Sequence, residues 1–168
     1  MVSTFCIRLP LKLSWQVLFF TLVWGTALFG QQPTSNWSAY RTATLRHAWS
    51  AATVLEGADY TIEAAEVKFA VDVHYTGQHR EVAADRRELL KRWAKALNHP
   101  AYGPEFFTHE IEVRSGNDAF WLPLQNPLLN PFVQETTDGS RLRLFIMYVG
   151  ATRDDRVFII NEFTVLPK

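Results

Sequence analysis

Apolar and polar residues alternate from Glu66 to Tyr75. Val67, Phe69, Val71, Val73 and Tyr75 fall on one side, and Glu66, Lys68, Ala70, Asp72 and His74 on the other. A period of two sustained this long predicts a strand with one face in the core and one in water. The Thr76-Gly77-Gln78 stretch then predicts a turn. Over residues 81–98 the period changes. Val82, Arg86, Leu89, Leu90, Trp93 and Leu97 recur at helical spacing, Asn98 and Pro100 end the run, and Arg87, Glu88, Lys91, Arg92 and Lys95 form a solvated side. Upstream, Ser35 or Asn36 can cap a helix that runs to Glu56, with Gly57 as its stop. Trp37, Tyr40, Leu45, Ala48, Trp49, Ala52 and Leu55 would approximate its apolar face.

From Phe106 onward the pattern is that of strands. Residues 106–113 and 119–125, joined through Gly116-Asn117, predict one hairpin, and residues 140–150 and 156–166 a second. In the second, matching apolar with apolar positions pairs Arg143 with Glu162, Phe145 with Ile160, Met147 with Phe158 and Ile146 with Ile159. Both faces of its centre are apolar, which requires cover on both sides: helices on one, the opposite wall of a curled sheet on the other. The expected fold is therefore α+β, a strongly bent antiparallel sheet or small OB-like or SH3-like barrel of about five strands with two packed helices. Residues 36–168 read as a single domain, with no repeat or low-complexity tract.

The first thirty residues have a different character. Arg8 and Lys12 precede the apolar run Leu13–Gly30, no acid occurs before Glu56, and Gly25, Ala27 and Gly30 are small. This order predicts a signal peptide over residues 1–30, cleaved after Ala27 or Gly30, with 31–35 as a short linker and a secreted or periplasmic destination. The alternative is an uncleaved anchor, and membrane contact is expected only in that case. Cleavage removes Arg8 and Lys12 from the 17 basic residues, leaving 15 against 17 acids, a net charge of −2. It also removes Cys6, the one cysteine, so the exported domain would hold itself together without a disulfide. Asn36-Trp37-Ser38 matches a glycosylation sequon, relevant only in a eukaryotic host.

Composition narrows the chemistry. The formal net charge of the chain is zero, which gives no footprint for nucleic acid. No GxSxG, HExxH, P-loop, GxGxxG or EF-hand pattern occurs. Asp72 and His74 share the polar face of the first strand, and a carboxylate that orients an imidazole is half of a general-base arrangement. The ordinary reading is a solvated charge pair. His74, His79, His99 and His109 match no zinc spacing, so no metal and no cofactor are expected. In the pairing above, Asn161 lies on the face of Leu142, Leu144, Ile146, Ile159 and Phe163. There it would either tie down an incoming loop or floor a ligand pocket.

Residues 120–132, FWLPLQNPLLNPF, carry no charge and three prolines. Alternation sends Phe120, Leu122 and Leu124 one way and Trp121, Pro123 and Gln125 the other. Pro123 lacks an N–H, so the strand is an edge or is ending. Asn126 and Pro127 can start a helical turn that Pro131 closes at Asn130. The resulting stiff corner, with Leu128, Leu129 and Phe132, is either a plug over the core or a docking surface.

These features lead to a non-enzymatic, exported binding or accessory module that engages a protein or a cell-envelope polymer. Its expected contact residues are Trp121, Pro123, Gln125, Leu128, Leu129, Phe132 and Asn161. The alternatives are a small cofactor-independent hydrolase using Asp72 and His74, and a structural component of an envelope assembly.

Overall fold

The alternating stretch at Val67–Tyr75 is the middle of a much longer strand that organises the sheet. A computed structural model of the chain describes residues 37–55, 57–98 and 104–167. The expected signal segment, the linker, the caps Ser35 and Asn36, and Pro100 lie outside the described residues.

A 3-10 turn at Trp37–Ala39 leads into β1 (Arg41–Ala43) and α1 (Leu45–Ala51). There follow β2 (Tyr60–Glu81), α2 (Ala84–Ala96), the hairpin β3 (His109–Ser115) and β4 (Asp118–Leu124), α3 (Asn126–Glu135), and the hairpin β5 (Arg141–Thr152) and β6 (Arg156–Val165). The sheet order is β1-β2-β3-β4-β6-β5, and β2 also pairs with β5, so the sheet bends round into a partial ring. The expected bent sheet with packed helices is present, with six strands and three helices among the described residues. It is mixed, because β1 runs parallel to β2 and β4 parallel to β6.

The bend comes from β2, whose two ends serve different partners. Tyr60–Ile62 and Val67–His74 pair with β5, while His74–Tyr75 and His79–Glu81 pair with β3. The turn expected at Thr76–Gln78 is instead a bulge inside this strand. Gly77, at φ 78°, supplies the left-handed residue that bends the strand without ending it. Gly150 serves the crossing of β2 and β5, since a side chain there would collide with the Thr61 carbonyl.

Two cores result. Inside the ring, Phe69, Val71 and Val73 meet Leu142, Leu144 and Ile146 across β5, and Ile111, Leu122 and Phe158 from the other wall. Outside it, Leu89, Leu90 and Trp93 of α2 cover Met147, Val149, Val157 and Ile159. This is the double cover that the two apolar faces of the second hairpin demanded.

Two expectations need correction here. The helix expected over residues 36–56 is a 3-10 turn, a strand and the seven-residue α1. Its threonines decide this: Thr42 takes a strand position, and Thr44 caps α1 by accepting the His47 N–H at 3.1 Å. Of the expected apolar face, Leu45, Ala48 and Ala52 are buried, while Leu55 is exposed. The register of the second hairpin also differs. Arg143 pairs with Thr164 and Phe145 with Glu162, then Ile146 with Ile160 and Met147 with Ile159. Asn161 is the extra residue of a bulge, so Ile146 lies in the inner core and Ile159 in the outer one.

The ring closes weakly between β4 and β6, which meet at the single pair Leu124–Ile160. Arg86 of α2 reaches into this seam. Its Nη1 donates to the Glu110 carboxylate at 2.8 Å and to the Trp121 carbonyl at 3.1 Å, and its Nη2 pairs with Asp155 in the β5–β6 turn. Pro123 is the penultimate residue of β4, which has neighbours on both sides, so of the two positions its missing N–H allows it takes the strand end and not an edge strand.

Candidate binding groove

The apolar corner turns inward. Its helix continues past Asn130 and through Pro131 to Glu135, where the sequence led us to expect a single turn. Burying Phe132, Leu128 and Leu129, each worth about 1.5–3 kcal/mol when complete, outweighs an interior proline cost of about 3 kcal/mol. Phe132 is 1% exposed, with its ring edge-on to Tyr75 and Phe163 at 5.0 and 5.1 Å. Leu128 and Leu129 pack, half-buried, against the same inner core. Leu122, Pro123 and Leu124 are buried and Trp121 is half-buried. The Arg80 guanidinium covers the Trp121 ring at 3.8 Å. Gln125 donates to Asn161 Oδ1 at 2.8 Å, and Asn161 Nδ2 donates to the Tyr40 hydroxyl at 3.1 Å. Asn161 thus ties the start of α3 and the segment before β1 to the bulge.

Asp72 and His74 are both exposed on the outer face of β2. Arg143, opposite Asp72 in β5, donates Nε and Nη2 to the two carboxylate oxygens at 2.7 and 3.0 Å. These hydrogen bonds hold the Asp72 carboxyl below its ordinary range, with the charges of Arg143 and Arg141 adding to the effect. The Arg143 guanidinium is raised for the same reason. His74 stands between Arg114 on β3 and Arg141 on β5 in the strand register. No three His, Cys, Asp or Glu side chains converge as metal ligands among the described residues.

A different region has the make-up of a binding site. At the end of the ring occupied by α1, an open groove of about 510 Å³ is lined by Arg46, Trp49, Ser50, Asp118, Phe120 and Arg156. That volume lies within the ~300–1,000 Å³ typical of small-molecule sites. Local structure explains how these residues meet. Thr44 starts α1, whose buried side carries Leu45 and Ala48 and sets Trp49 over the ring's end. The Trp49 ring stacks on the fully buried Phe158 at 5.4 Å and tilts against Phe120 at 4.8 Å, so the floor is a rigid aromatic surface. Arg46 pairs with Asp118 across the rim. Arg156 is fixed by its Nε, which donates to the Ala52 carbonyl at 3.2 Å.

The groove keeps unused hydrogen-bonding groups. The terminal nitrogens of Arg156 and the indole N–H of Trp49 have no acceptor among the described residues, and no buried side-chain nitrogen or oxygen there is left unpartnered, so both donors face solvent. The Ser50 hydroxyl donates to the His47 carbonyl at 3.0 Å and retains its lone pairs. Behind the floor, burial raises the Tyr148 phenol above its ordinary range, and the nearby Arg156 charge partly offsets that.

Sequence reasoning placed Trp49 and Phe120 on apolar faces but did not connect them. Arg46 and Asp118 are 72 residues apart, and no spacing links them. The run from Asn36 to Glu56 did hold a signal in its threonines, which mark a short helix with an exposed start.

Compared with known protein families, with curated proteins and with solved structures, the chain gives no match.

Proposed function

We propose that the domain is a non-enzymatic binding module of an exported protein, and that its ligand, a segment of a protein or of an envelope polymer, lies in the groove of Trp49, Phe120, Arg46 and Arg156. The observation that carries this reading is the half-exposed Trp49 ring, which lines one groove with the Arg46 and Arg156 guanidinium groups, where donors remain without protein partners among the described residues. A rigid floor and an anchored arginine lose little conformational entropy on binding. The corner at Leu128 and Leu129 supports the reading less, because its apolar side chains already pack on the domain's own core. The hydrolase alternative has less support too, since Arg143 engages both Asp72 oxygens that would orient His74.

The test is affinity capture from envelope extract with the full chain, comparing the native protein with Trp49→Ala, Leu129→Ala and His74→Ala variants, each checked for folding by circular dichroism. Capture of a common ligand lost with Trp49→Ala and retained with the other two supports the groove. Capture retained with Trp49→Ala and lost with Leu129→Ala returns the docking surface to the corner.

A further inference from the structure

We infer that the groove binds an acidic sugar, a ring-bearing ligand with both a carboxylate and free hydroxyls; this rests on the groove being the binding site. Three features set the ligand class. The Trp49 face, backed by Phe158, offers an apolar plane of the kind against which the C–H face of a pyranose packs. Arg156 lines the same groove, and its terminal nitrogens have no acceptor among the described residues. A guanidinium with its Nε already held and its fork open matches a carboxylate better than a neutral group. The rim also carries acceptors, the Asp118 carboxylate and the Ser50 oxygen, beside the donors Arg46 and Trp49 Nε1. An aromatic acid would satisfy the floor and Arg156 but would bring no donors to the Ser50 oxygen or to the lone pairs that Asp118 keeps beyond its pair with Arg46. Sugar hydroxyls, which both donate and accept, serve them all.

The charges agree. Arg46 and Asp118 neutralise each other across the rim, so the Arg156 charge is left for the ligand. The groove is open to solvent rather than enclosed, so the sugar can be one unit of a longer chain.

The experiment is titration calorimetry of the full chain with a galacturonic acid tetramer and, separately, with the same tetramer as its methyl ester. The ester keeps the ring faces and hydroxyls and removes the charge. The acid is expected to bind and the ester to bind about tenfold more weakly or worse, as loss of a charge-assisted hydrogen bond implies. Arg156→Gln should weaken the acid by a similar factor and leave the ester unchanged. Arg156→Lys, which keeps the charge without the fork, should fall between. Trp49→Phe, which retains a stacking ring, should keep most of the affinity that Trp49→Ala removes. Equal binding of acid and ester overturns the inference while the groove remains the binding site. Binding of the acid that survives both Trp49→Ala and Arg156→Gln removes the groove itself. Failure of both probes to bind the folded native protein also overturns the inference, and the capture experiment then decides on the groove alone.

Discussion

Arg86 holds the fully buried Glu110 carboxylate at 2.8 Å, inside the seam where the ring of strands closes. Glu110 also receives Arg80 Nε at 2.6 Å, and Arg86 also holds the Trp121 carbonyl and Asp155. One guanidinium from α2 therefore ties β3, β4 and the β5–β6 turn together where backbone pairing is limited to Leu124–Ile160. Breaking such a pair leaves a buried charge poorly compensated, so Arg86→Met should cost about 3–5 kcal/mol in denaturant melts. Adding Glu110→Leu to that variant removes the stranded charge and should restore part of the loss. An Arg86→Met protein within about 1 kcal/mol of the native one would show that the seam does not depend on this contact.

The Asp72–Arg143 pair lies on the opposite footing, because both side chains are about half exposed. Its contribution should be about 0.2–1 kcal/mol and should shrink in salt. The direction with pH is fixed by the lowered Asp72 carboxyl. The pair's stabilisation is fully present above the unfolded-state value and is lost as pH falls through the lower folded-state one, so neutral pH leaves it untouched. In a carbon-detected NMR titration, Asp72 should move up toward the ordinary carboxylate range in an Arg143→Gln variant. An unchanged midpoint would show that the bidentate contact is not formed in solution.

The corner offers a contrast between adjacent residues. Phe132 is 1% exposed and Val133 58%. Phe132→Ala should cost about 3–5 kcal/mol, as loss of a buried aromatic side chain does, while Val133→Ala should stay within about 0.5 kcal/mol of the native protein. Thermal melts that rank the two the other way would mean that α3 does not seat Phe132 between Tyr75 and Phe163.

The strand at Val67–Tyr75 and the helix of α2 could be read from the sequence because each buries one regular face, and both hairpins because apolar strand runs flank a turn. The limits of that reading are equally physical. Gly77 looks like a turn in isolation, and only the pairing of β2 with different strands on its two sides shows that the chain continues. Pro131 looks like a helix stop until the inner core supplies a place for Phe132. In the second hairpin the information was present. Phe158 and Ile160 are two apart, but Phe163 comes three later, so no unbroken strand can bury all three on one face. An extra residue between them was required, and the pairing makes it Asn161, between Ile160 and Glu162. The groove was not legible, because Arg46, Asp118 and Arg156 meet only once the ring has closed.

Asn161 therefore carries a prediction that separates a tie from a mere bulge. Its amide accepts from Gln125 and donates to Tyr40, so it joins three segments that share no backbone ladder at that point. Asn161→Ala should cost about 1–3 kcal/mol, since it leaves a half-buried Gln125 amide and a Tyr40 hydroxyl to find other partners. Asn161→Ala and Gln125→Ala should then be strongly non-additive, with a coupling of about 0.5 kcal/mol or more in a double-mutant cycle. The same should hold for Asn161→Ala with Tyr40→Phe. Asn161→Gly, by contrast, keeps the bulge's backbone freedom and loses the amide, so a cost close to that of Asn161→Ala would place the effect in the side-chain bonds. A Gly variant as stable as the native protein, with additive cycles, would place it in the backbone of the bulge and remove the tie.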